Sequence, residues 1–323
     1  MHGLTAHIRP LQQLLDMPIV VYSTAPGRFK PVEDSDIEIL HRCLLTTLNG
    51  QHRLALVLHT NGGYVNAARR LAILLREYVD TLHILVPYKA MSAGTLICLA
   101  ANELILTGLS ELSPLDPNVS STQPQQGMPS SVSSADIHAY LEMAEAWFGL
   151  DRNQHGLELF KLLNQKFFPT SLSSFYRSEE QMLKYCQEFL MHSMPRATRA
   201  ERQAVADRLV RGYGSHDCVI TRAEVMAFGL NTRAACLEEE RLALELIRAC
   251  RTITTANETL CKHNAVMASE VFLATHEPLP VSEPLDEGGD VTVLTDLNVE
   301  VQRMPWRIRW EHQGQAMLAE HTH

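Results

Sequence analysis

One stretch limits the possible folds of this chain more than any other: "RLALVLHTNGGYVNAARRLAILLREYVDTLHILVPYKAMSAGTLICLAANELILT", residues 53–107. Leu54 to Leu58 is a short all-apolar run, the pattern of a strand buried on both faces. Asn61-Gly62-Gly63 makes a turn, and Asn66 to Tyr78 has the spacing of an amphipathic helix. The plan then repeats, with a strand at 81–88, a turn "KAMSAG" at 89–94, a helix at 93–101 and a third strand at 103–107. Strands alternating with helices of this length require crossover connections. The spacing therefore predicts an α/β fold with a parallel sheet built from βαβ units.

The flanks are read from the same periodicities. "MPIVVYST" (17–24) predicts an edge strand, and apolar residues from Val32 to Leu48 predict a helix capped by Asp34 or Ser35. Residues 118–134 are rich in Ser, Gln and Pro and predict a flexible polar loop. Helical patterns fill 135–211. A turn "GYGSHD" (212–217) then leads to a helix near "TRAEVMAFG" and a long charged helix at 237–252. Alternation over 292–313 predicts a hairpin-like extension. The expected organisation is an α/β core at 1–117, the loop at 118–134, a helical region returning to the core at 135–235, and a C-terminal helix with a β extension at 236–323.

Composition narrows the function classes. A net charge of −9 without a Lys/Arg cluster argues against binding nucleic acid or an anionic membrane. The most apolar window, Met91 to Leu109, is interrupted by Asn102, Glu103 and Gly108, so no membrane span is expected. Seven dispersed cysteines without CxxC spacing, and an N-terminus lacking signal-peptide character, point to a cytoplasmic location. No metal-ligand spacing is present, and no metal or cofactor is expected.

In parallel sheets, sites form at the C-terminal ends of strands. Here those ends carry the turns "HTNGG" and "KAMSAG". Ser92 lies just before a helix whose free amides favour developing negative charge. It is either a nucleophile or merely the helix N-cap, since serine is favoured there in any protein.

Three segments together resemble the serine dehydrogenase proteinase family: "LVLHTNGGYVNAARRLA", "VPYKAMSAGTLICLAANELIL" and "LSPLDPNV". That family is related to the Clp protease subunit and signal peptide peptidase A. The chain departs from its pattern at Asn61, where proline is usual, and at Ser113 and Asn118. "FFPTSLSSFYRSEEQMLKYCQEFL" resembles a family segment in which an Arg-Ser pair opens a helix, and "YGSHDCVITRAEVMAFGL" resembles a further family motif. The resemblance implies a crotonase-like (Clp protease-like) core with a helical insert, a peptide or protein substrate, and a homo-oligomer. It implies Ser92 as nucleophile, Gly62, Gly63 and Ala93 as the oxyanion-hole turn, and Asp217 at the Clp aspartate.

A serine needs a base within hydrogen-bond reach. The Clp histidine corresponds to "SPLDPN", where Leu115 or Asp116 stands, and no histidine occurs between Ser92 and His138. His216 is the preferred base, although Asp217 beside it is expected to point the other way. Lys89 is the candidate for a Ser-Lys dyad, and Asp116 is a candidate to orient water or a substrate amine. His59 and His138 read as structural and surface residues. The leading function is a metal-free serine endopeptidase or hydrolase. Alternatives are a catalytically degenerate scaffold or adaptor and, third, an acyl-CoA enzyme using only backbone amides.

Overall fold

The computed structural model describes residues 2–24, 31–120, 131–256 and 265–268. In chain order the elements are α1 (His2–Leu15), β1 (Ile19–Ser23), α2 (Ser35–Leu48), β2 (Arg53–His59), α3 (Val65–Tyr78), β3 (Thr81–Val86), β4 (Lys89–Ala90), α4 (Ala93–Cys98), β5 (Glu103–Leu106) and β6 (Glu111–Leu112). There follow β7 (Asn118–Ser120), β8 (Ser131–Ser133), α5 (Ser134–Phe148), α6 (Arg152–Asn164), α7 (Pro169–Ser193) and α8 (Arg199–Arg211). The last are β9 (Ile220–Thr221), α9 (Arg222–Ala227), β10 (Thr232–Ala234), α10 (Leu237–Ala256) and β11 (Ala265–Ala268).

The main sheet has six strands in the order β10-β5-β3-β2-β1-β11, parallel throughout except for β11. The α/β class and the parallel βαβ core are as the sequence implied. Alternate residues of β2 explain why its sequence is apolar without interruption. Leu54, Leu56 and Leu58 enter a core shared with α2, α3, α4 and α7, whereas Ala55 and Val57 face α1 and α10. Both sheet faces are therefore covered, and polar side chains would have nowhere to be solvated.

Three local expectations are corrected. β1 is not an edge strand, because β11 pairs antiparallel along its outer side. Neither Asp34 nor Ser35 caps α2 with its side chain; Asp36 instead accepts from Glu33 N at 3.0 Å and from Tyr22 Oη at 2.7 Å. The loop 118–134 is structured at both ends, since β7 pairs with β8 and Ser133 closes a capping box with Asp136 at the start of α5. Ser133 Oγ accepts from Asp136 N at 3.1 Å and Asp136 Oδ2 accepts from Ser133 N at 2.8 Å, a role at the helix start that composition alone does not reveal. The middle of that loop, 121–130, and the extension predicted for 292–313 lie outside the described residues.

Helices α5, α7 and α8 are joined through Glu179, which is buried and accepts from His138 at 3.0 Å and from Arg211. Arg177 and Ser178 lie inside α7 rather than at a helix start, because that helix begins at Pro169.

Candidate active site

The turns after β2 and β3 are joined by backbone hydrogen bonds. Thr60 N donates to Lys89 O at 2.8 Å, and Met91 N donates to Thr60 O at 3.0 Å. Gly62 lies so close to the serine turn that a Cβ there would sit 3.0 Å from Ser92 Cβ and 2.9 Å from Met91 O. Its φ of +102° also disfavours any side chain. At Gly63 a Cβ would come within 2.1 Å of Val32 N, because the chain before α2 forms a parallel bridge with this turn.

Ser92 has φ 49° and ψ −112°, and its hydroxyl makes no capping bond to α4. The bland reading of this serine as a helix cap therefore has no hydrogen bond behind it. A non-glycine residue in this region stores about 1–3 kcal/mol of backbone strain, which surrounding bonds must offset. Ser92 N donates to Ser113 Oγ at 2.6 Å, and Thr95 Oγ1 donates to Ala90 O and Ser113 O at 2.8 and 2.9 Å. Such a sharp strand-to-helix turn is the arrangement that projects a nucleophilic serine above a sheet.

Ser92 opens onto a cleft of about 380 Å³ whose walls include Gly63, Asn66, Asp116, Ser178 and His216. The cleft brings together five segments: the two turns, the "LDP" stretch, α7, and the loop after α8. Asp116 is 3% exposed; its Oδ1 accepts from Ser134 Oγ at 2.7 Å and from Ala135 N at 3.2 Å. Its Oδ2 is buried without a hydrogen-bond partner among the described residues, as is His216 Nδ1.

The other predicted site residues stand elsewhere. Asp217 is exposed, does not line the cleft, and is held by its amide donating to Ser215 Oγ at 3.3 Å. His216 and Asp217 are the central residues of a turn closed by Cys218 N donating to Ser215 O at 3.2 Å, and of the two only His216 lines the cleft. Lys89 pairs with Glu111 at 3.6 Å and lies over the Tyr88 ring, outside the cleft lining.

Among the three amides expected to hold an oxyanion, the Gly62 amide is already used, donating to Thr60 Oγ1 at 3.0 Å. The amides of Gly63 and Ala93 donate to no other described group. Gly63 lines the cleft; Ala93 is buried at the start of α4.

His59 is structural, as its position at the end of β2 suggested. It is stacked on Tyr88 with 5.9 Å between ring centroids, and its Nε2 lies 3.1 Å from Arg251. Burial first, then the charge of Arg251, lowers its pKa to about 4. Residues that the sequence reading passed over are Thr60, Thr95 and Ser134. Their hydroxyls brace the turns and Asp116, and nothing in their local sequence distinguishes them from other hydroxyl residues.

Residues 13–135 match the model of a family described as ClpP-like SDH-type serine proteinase. Two uncharacterized proteins of Methanocaldococcus jannaschii are 36% and 37% identical over 92 residues, or 28% of this chain. The matched stretch spans only 30% and 31% of those relatives' lengths. Among solved structures, a membrane-bound stomatin-specific protease is 14% identical with a TM-score of 0.41, covering 67% of this chain and 79% of that one. A ClpP1 variant of Listeria monocytogenes is 14% identical with a TM-score of 0.39, covering 72% and 99%. Neither structural likeness is close enough to carry residue roles across.

Proposed function

We propose that this chain, whose residues 13–135 match the ClpP-like SDH-type serine proteinases, is a serine hydrolase acting on peptides. The observation that carries this reading is Ser92 itself: it is strained, has no capping role, and opens onto a cleft shared with a histidine. His216 takes the Oγ proton as Oγ attacks the substrate carbonyl carbon. The carbonyl π pair moves onto oxygen, and the amides of Gly63 and Ala93 hold the resulting oxyanion. Collapse breaks the C–N bond, the leaving amine takes the proton from His216, and water releases the acyl group by the same steps in reverse. Gly62 contributes space rather than a donor.

The working protein is taken to be a homo-oligomer in the cytoplasm. Among the described residues no disulfide joins the six cysteines, and no helix is long and apolar enough to cross a membrane.

A second reading, a non-catalytic member of the same fold, is favoured by one observation. Among the described residues no side chain hydrogen-bonds Ser92 Oγ. A fluorophosphonate reagent separates the two. Labelling of the wild type that disappears in Ser92→Ala and in His216→Ala supports the hydrolase; equal labelling of wild type and Ser92→Ala removes it.

A further inference from the structure

We infer that Asp116 is the carboxylate that orients His216, in place of the sequence-adjacent Asp217. The inference rests on the reading of His216 as the base and deepens it. Two buried polar atoms in one cleft lack partners, Asp116 Oδ2 and His216 Nδ1, and their chemistry is complementary. A carboxylate oxygen only accepts, and a neutral imidazole carries one N–H. One hydrogen bond from Nδ1–H to Oδ2 satisfies both, whereas leaving each unmade costs about 1–3 kcal/mol per group.

The burial pattern selects the tautomer. With Nδ1 sealed from solvent and, in the proposed bond, given to the carboxylate, Nε2 is the nitrogen left to receive the Ser92 proton. Asp116 is itself fixed, because Ser134 Oγ and Ala135 N at the start of α5 hold Oδ1 at 2.7 and 3.2 Å. Among the described residues that line the cleft Asp116 is the one carboxylate, and so the one that can stabilise an imidazolium at His216. Asp217, exposed and outside the cleft, cannot. The Asp116–His216 bond is not made in this structure. It forms when the 212–219 loop closes on substrate, as catalytic hydrogen bonds commonly tighten only in the complex. During the step the proton on Nδ1 stays there. Asp116 acts through His216 and is a positioning residue.

The test follows Ser92 labelling by a fluorophosphonate against pH in the full-length protein. Asp116→Asn keeps an acceptor for Ser134 and Ala135 but presents the wrong tautomer partner. It is expected to lower the plateau rate on the order of a thousandfold. The acid limb should also move to lower pH, because the imidazolium loses its counter-charge. A second measurement needs no variant at the carboxylate. The ¹⁵N-histidine spectrum of the phosphonylated wild type, with the His216 signal assigned by its loss in His216→Gln, should show the proton on Nδ1. If Asp116→Asn labels at the wild-type rate with an unmoved acid limb while Ser92→Ala and His216→Ala are silent, the hydrolase stands and this inference falls. It falls too if Asp217→Asn, rather than Asp116→Asn, carries the loss, or if the His216 proton is on Nε2. Labelling unaffected by His216→Ala removes the underlying reading instead.

Discussion

The Ser113 hydroxyl accepts the backbone N–H of Ser92 at 2.6 Å and donates to Pro114 O at 3.3 Å, so one serine fixes the backbone of the other. The bond reaches from the loop after β6 to the turn before α4, and it helps hold Ser92 at its positive φ.

Ser113→Ala should therefore loosen the serine turn. Loss of one buried acceptor is expected to cost about 1–3 kcal/mol of stability, read from denaturant unfolding. Ser92 labelling should slow at least tenfold even under conditions where the variant is fully folded. An unchanged labelling rate would show that the turn holds itself.

Gly62→Ala is expected to be more severe. The new Cβ meets Met91 O at 2.9 Å and Ser92 Cβ at 3.0 Å, at a backbone φ of +102°. Stability should fall by about 1–3 kcal/mol, and the serine should lose its reactivity because the two turns must separate. Gly149→Ala provides the contrast. It also has a positive φ, but no atom lies near its Cβ, so only the conformational cost should remain.

His59 predicts a pH dependence of stability. Its folded pKa of about 4 lies below the usual 6.5, so the folded state favours the neutral ring. Stability is fully present above pH 6.5 and falls as pH drops toward 4, where the unfolded chain binds a proton that the folded one refuses. The loss over that window is on the order of 3 kcal/mol at 1.36 kcal/mol per pKa unit. Denaturant midpoints from pH 7 to 4.5 should fall less steeply for His59→Gln than for the wild type; parallel curves would count against the assignment.

The insert helices predict association. Trp147, Phe148, Leu157, Phe160 and Phe168, on α5, α6 and the start of α7, are all more than half exposed. Large apolar side chains gathered on a few helices commonly mark a contact surface. Light scattering should give a multiple of 36.2 kDa, and Trp147→Glu with Phe160→Glu should reduce it. A wild-type mass of one chain would exclude the oligomer.

Much of the core was legible in residues 53–107, because local patterns report burial directly. An all-apolar strand must be covered on both sides, and a helix of amphipathic spacing must cover something. The edges were less legible. β1 acquired a neighbour, β11, only through a pairing with residues far along the chain. The ends of the polar loop formed β7, β8 and a capping box, because backbone groups next to Asp116 needed partners that composition does not show.

By itself the sequence determined the parallel α/β plan, the two glycine and serine turns, and Ser92 as the residue to question. These follow from periodicity and from backbone conformations that only certain residues adopt. Tertiary structure alone decided that Ser92 is not a cap, that Gly62's amide is already occupied, and that Asp116 rather than Asp217 shares the cleft with His216. Each depends on hydrogen bonds and close approaches between segments many residues apart, and on side-chain direction in an irregular loop. No local pattern encodes either.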